Sequence, residues 1–174
     1  MMGRQTPFSD GSGAAAAEMA LVLPLLLTLM MGSVELGSYI YNEHILVKAV
    51  RDGARYAARQ NFANYSACSG EPGGTVPAET RALVRTSLLA GGSDRFADIE
   101  DVDITLAVSC TTTAAPITGP TETMEGIYRG AANGAPIILV SASVSYTPVI
   151  GTAFGFSGVG FNIVATEEAA VMGL

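Results

Sequence analysis

Tryptophan is absent from these 174 residues, histidine occurs once and cysteine twice, and only 14% of the residues carry charge. With His44 as the lone imidazole, inside a helical stretch, neither a catalytic triad nor a metal cluster is legible. The glycine-rich "GEPGG" from Gly70 to Gly74 lacks the lysine and the following Ser or Thr of a phosphate loop. No cofactor and no enzymatic activity are expected. Cys68 and Cys110 lie too far apart for the C-x-x-C spacing of a metal or redox motif, so a structural disulfide is the better reading. Two free buried thiols are the alternative. A disulfide would imply an oxidising compartment.

Cations are scarce in the back half. Beyond Gln60 there are four (Arg81, Arg85, Arg95, Arg129) against eleven acidic residues, whereas the front half is balanced at five and five, so the net charge of -7 sits in the back half. Its field would repel phosphates, which argues against a nucleic-acid partner. A 49% share of hydrophobic residues fits a folded domain with an appendage.

Met1 to Ser12 is polar and reads as a flexible leader, with Arg4 its single cation and Asp10 its anion. From Ala14 to Tyr41 the chain has no Lys, Arg or Asp, and at 1.5 Å per residue such a helix is longer than the roughly 30 Å hydrocarbon core of a bilayer. This is a membrane-spanning candidate. A cleaved secretory signal over Met19 to Ser33 is the alternative. Against it stand Glu18 at the apolar edge, the weak preceding charge, and hydrophobicity that resumes through Val34, Leu36, Tyr39 and Ile40.

No breaker follows Tyr41, so the helix is expected to run on, outside the membrane, over residues 42–60. Ile45, Leu46, Ala49, Gly53, Tyr56 and Ala57 share one face. Lys48, Arg51, Arg55 and Arg59 lie opposite as a solvated face, with Asp52 spaced for ion pairs along the helix. Residues 61–174 form the head. Its first part, from Asn61 to Ala78, is broken by Gly and Pro. "AETRALVRTSLLAGG" then predicts a short helix with Leu83, Val84, Leu88 and Leu89 as its apolar side and Gly91 with Gly92 as its stop.

Three strands complete the pattern. Val102, Ile104, Leu106, Val108 and Cys110 alternate inward in the first. In the second, Ile138, Val140, Ala142, Val144 and Tyr146 do so, up to Pro148. After the glycine-rich turn Gly151 to Gly160, Phe161, Ile163 and Ala165 form the last. The fold class is α+β: a long N-terminal helix and a small pilin-like head with one helix packed on an antiparallel sheet of about three strands. Glu167 and Glu168 face opposite ways, and Asp101 and Asp103 share a polar face; both pairs read as solvated edges.

Two carboxylates in the apolar run need a reason, because an ionised group at depth in lipid is expensive. Glu35 lies about five helical turns after Glu18. It is a candidate for helix packing in an assembly, with reaching water near the far interface beside Ser33 and Ser38 as the alternative. Glu18 is harder to explain that way. Gly13, four alanines, Glu18 and a long apolar helix resemble the processing site of type IV prepilin-like proteins. With "VELG" and "VRDGARYAARQ" added, Gly13 to Gln60 resembles the TadE-like minor pseudopilins of tight-adherence (Flp) pilus systems. Met19 stands where that family usually has Phe or Tyr, and no basic cluster precedes Gly13.

The resemblance implies cutting after Gly13 by a prepilin peptidase, which would make Ala14 the new amino terminus. Glu18 could then pair with that amine in its own or a neighbouring subunit. At about 4 Å and an effective dielectric near 20 the attraction is of order 4 kcal/mol before desolvation. It further implies the major pilin, sister pseudopilins and an inner-membrane pilus platform as partners. Ser33 with Gly37, and Ala49, Gly53 and Ala57, recur at fourfold spacing, and such small-residue faces let helices approach. Filling within a single helix is the other reading. Pro24 removes one backbone bond and is a candidate kink.

The cations from Lys48 to Arg59 outnumber Arg4 and by the positive-inside tendency would put the back half in the cytoplasm. The cysteines and the cleavage pattern favour export, and that orientation is adopted. The expectation is therefore a non-enzymatic minor pseudopilin; a membrane-tethered binding module and a secreted soluble protein are the rivals.

Overall fold

The computed structural model describes residues 11–96, 99–100, 103–114, 122–123, 126–129, 133–153 and 160–173. Arg4, Asp10 and most of the leader, and Asp101 with Val102, lie outside the described residues. One helix, α1 (Gly11–Ala58), runs for 48 residues and passes through Pro24 without ending. The hydroxyl of Thr28 donates to the Pro24 carbonyl at 2.8 Å, within the turn that follows the proline. The helix stops where the amides of Arg59 and Gln60 turn back to Tyr56 and Ala57 at 3.1 and 3.0 Å, bonds of the tighter 3-10 kind. The end expected near Gln60 is thus two residues early.

The two halves of α1 meet different surroundings. Met19 through Leu36 exposes its aliphatic side chains, whereas Leu46, Ala49, Val50, Ala54 and Ala57 are fully or almost fully buried. The buried half lies against an antiparallel sheet of β1 (Ile104–Thr111), β4 (Ala135–Tyr146) and β5 (Phe161–Ala170), in the order β1-β4-β5. Leu106 pairs with Val140, and Ala142 with both Ile104 and Ala165. Alternation sends Ile104, Leu106, Val108, Ile138, Val140, Val144, Ile163 and Ala165 inward onto the helix. The outward side mixes small and polar residues with Ile137, Leu139 and Val164, and has a Ser141–Thr166 hydroxyl contact at 3.0 Å. A two-stranded ribbon, β2 (Thr113–Ala114) with β3 (Glu122–Thr123), and a one-turn helix, α3 (Val149–Ala153), add to the expected elements.

The short helix departs from its sequence reading. It is α2 (Val76–Thr86), and its buried residues are Val76, Thr80 and Val84. Leu88 and Leu89, expected on its apolar side, lie beyond it and are exposed. Ser87 ends it in the left-handed region (φ 71°), its amide bonded to the Leu83 carbonyl. Arg85 grips Asp94 through two guanidinium nitrogens at 3.0 and 2.9 Å, and the Arg95 amide returns to the Arg85 carbonyl at 2.8 Å. That fold-back stops the helix before the glycine pair does. On α1, Gly53 admits α2: a Cβ there would lie 2.6 Å from Cγ2 of Val84.

Cys68 and Cys110 form a disulfide, with Cα atoms 5.2 Å apart, joining the loop after α1 to the end of β1. The amide of Val108 bonds to the Gly70 carbonyl at 2.8 Å beside it.

Two phenols tie α1 to its surroundings. Tyr65 donates to the Ala57 carbonyl and Tyr56 to the Glu79 carboxylate. Burial first, and then the neighbouring Tyr56, push Tyr65 up to about 12 from 10.0. Burial, then the hydrogen bond and charge of Glu79, push Tyr56 up to about 12. A raised folded-state value means that these contributions are complete below pH 10, the unfolded value, and are lost as pH rises towards about 12. Burial and the hydrogen bond to Glu35 raise Tyr146 as well, so ultraviolet titration of the folded protein should show three of the six tyrosines, Tyr56, Tyr65 and Tyr146, ionising late. In denaturant all six should ionise together near pH 10. A single folded-state transition near pH 10 would contradict the packing.

Candidate functional site: the helix-head junction

Pro148 ends β4, and the chain turns at once into α3, whose first amides have no partner within so short a helix. Glu35, near the end of the exposed part of α1, supplies the acceptors. The Tyr146 hydroxyl donates to its Oε1 at 2.6 Å, the Val149 amide to Oε1 at 3.1 Å, and the Ile150 amide to Oε2 at 2.8 Å. The same hydroxyl lies 3.3 Å from the Glu35 carbonyl oxygen. One turn on, the ring of Tyr39 meets that of Tyr146 edge-on, with centroids 5.4 Å apart. Both carboxylate oxygens are engaged by the head, so this acid is a clamp: it fixes the lower corner of the head to the rod. Among the described residues no group of His, Cys, Asp and Glu could hold a metal ion.

The expected site residues divide between two settings. Gly13, Ala14, Glu18 and Pro24 lie along the exposed part of α1. Ser33 and Gly37 are exposed too; the Ser33 hydroxyl is bonded to the Leu29 carbonyl at 2.8 Å, and a Cβ at Gly37 would meet nothing within 4 Å. Ala49, Gly53 and Ala57, expected on a face for packing against other subunits, are instead buried in the core of this chain's own head. Their small size serves the close approach of α2 and the sheet.

Arg51 of the basic face pairs across to Glu167 at 3.2 Å. Glu167 is therefore an inter-element contact, while Glu168 is exposed. The sequence reading missed Tyr146 and α3 as partners of Glu35. A proline just after a strand hints at a helix start, yet nothing in the local pattern points to an acceptor more than a hundred positions earlier.

A long apolar helix whose far half is built into a small α+β head is consistent with a membrane-anchored, pilin-like protein, and α1 is long and apolar enough to cross a membrane. Residues 13–55 of α1 match the family model described as "TadE-like protein", so this stretch is similar to that family. The match takes in Glu18, Pro24, Glu35 and Gly53, and ends before α2. No curated protein and no solved structure matches the chain.

Proposed function

We propose that the protein is a minor pseudopilin that supports assembly or initiation of a tight-adherence (Flp) pilus, acting through helix packing in the membrane or filament and not through catalysis. The observation that carries this reading is the exposed apolar rod. From Met19 to Leu36 most of the side chains that elsewhere would form a core are exposed, and Glu18 stands at the start of that stretch. Lipid or neighbouring helices of the same kind are the surroundings that would cover it.

In this reading a prepilin peptidase cuts after Gly13, and Glu18 meets the amine of Ala14 on an adjacent subunit. Pro24, Ser33 and Gly37 lie on the surface open to neighbours. The major pilin, sister pseudopilins and the inner-membrane platform are its partners. The disulfide supports placing the head outside the cytoplasm, where such bonds persist.

Mass spectrometry of the mature protein is expected to find Ala14 at the amino terminus. An intact leader would favour a simple tether, and a start beyond Ser33 a secreted protein. Glu18→Ala should leave the head folded and abolish recovery of the protein with assembled pili. Undiminished recovery would remove the central role given to that carboxylate.

A further inference from the structure

An apolar groove lies at the clamp, beside the exposed rod. About 460 Å³ in volume, it opens between Gly32, Leu36 and Tyr39 on α1 and Pro148 with Phe161 on the head. Its rim is unusually greasy for an exposed surface. Leu36 is 60% exposed, Val149 58% and Phe161 56%. From Gly130 to Thr166, the segment that supplies the head's side of this corner, the sequence has no charged residue. The carboxylate at its base is not free, because Tyr146, Val149 and Ile150 take up its oxygens.

The height of this corner along the rod decides what covers it. Counted from Gly13, roughly 20 residues at 1.5 Å each span about 30 Å, the thickness of a bilayer's hydrocarbon core. That distance ends at Gly32, on the wall of the groove. The tyrosines next above it, Tyr39, Tyr41 and Tyr146, are the residue type that gathers at a membrane-water boundary. Apart from Glu35, whose oxygens the head takes up, charged side chains begin again on the rod only at Glu43.

From this we infer that the lower corner of the head, Val149, Ile150 and Phe161 with the groove behind them, is a lipid-binding surface that rests in the interfacial layer of the bilayer. Its ligand is the boundary between headgroups and acyl chains. An apolar face of this kind settles about 5–10 Å into that layer. The Glu35 clamp then holds the corner at the depth where the rod leaves the lipid. This inference rests on reading the first part of α1 as a membrane span.

The absence of native tryptophan allows a direct test. Single-tryptophan variants of the full chain, Phe161→Trp, Leu27→Trp and Thr105→Trp, would be reconstituted in phosphatidylcholine vesicles with and without acyl-chain bromine. Leu27→Trp reports on the span, and Thr105→Trp on the far, exposed side of β1. Phe161→Trp is expected to emit at a blue-shifted wavelength and to lose about half or more of its emission to the bromolipid, as a ring at that depth would. Thr105→Trp should keep its emission.

If Leu27→Trp is quenched while Phe161→Trp behaves like Thr105→Trp, the inference is overturned and the membrane anchor stands. If Leu27→Trp is not quenched, the anchor fails and takes the inference with it. A blue-shifted Phe161→Trp that bromine does not quench would mean that a protein neighbour covers the corner, which also overturns it, as would equal quenching of all three.

Discussion

Replacing Cys68 and Cys110 together with serine is expected to lower the unfolding free energy of the head by about 4 kcal/mol at 25 °C. The bond closes a loop with a sequence separation of 42 that encloses α2, so its loss returns a large loop-closure entropy to the unfolded chain. Domains of this size are stable by about 5–15 kcal/mol in total, so the loss removes a substantial share. With a urea slope near 2 kcal/mol per molar, the unfolding midpoint should fall by about 2 M. The measurement is a urea titration of the oxidised wild type and the double variant in the same detergent, read by tyrosine absorbance. Equal midpoints would mean that the bond does not constrain the unfolded chain. The native contacts around it, such as the Val108 amide on the Gly70 carbonyl, should persist in the variant below its midpoint.

Glu35→Ala should release the corner made by the end of β4 and α3 while leaving the core around Leu46 and Val140 folded. Three donors lose their acceptor at once: the Tyr146 hydroxyl and the amides of Val149 and Ile150. Amide hydrogen exchange at Val149 and Ile150 should then quicken roughly tenfold or more, as local opening no longer breaks charge-assisted bonds. Glu35→Gln is informative for a separate reason. A carboxamide keeps one oxygen for Tyr146 and Val149 but would present its NH2 group to the Ile150 amide, donor against donor. It should protect Val149 better than Ile150. Glu18→Ala should change neither amide. Unaltered exchange in Glu35→Ala would show that the corner is held by other contacts.

What could be read from the sequence follows the range of each physical signal. Period-two alternation placed Ile104, Leu106 and Val108 and their partners Ile138, Val140 and Val144 on the inner face, because burial on one side of a sheet leaves its mark residue by residue. The absence of breakers after Tyr41 likewise announced that the apolar helix runs on without interruption. The meaning of its small residues was not legible: fourfold spacing at Ala49, Gly53 and Ala57 says that something approaches closely, and it cannot say whether that is a neighbour or the chain's own α2. Leu88 and Leu89 fit a helical period, yet the Arg85–Asp94 pair folds the chain back first. The two glutamates raised the same question, and it has two answers. Glu35 is bound by donors from the far end of the sequence, a contact that only the tertiary fold creates. Glu18 has no such contact among the described residues and lies in the family-matched, exposed stretch.

Because α1 continues without a joint from Glu18 into the head, the head has a fixed compass bearing. Each residue of an α-helix turns the chain by about 100°, so Glu18 and Glu35 point about 100° apart around the axis. Inserting a single residue between them would swing everything above by more than a quarter circle while lifting it only about 1.5 Å. Reach would be almost unaltered, and heading would not. The number of residues between the two acids therefore sets which side of the rod the head looks out from.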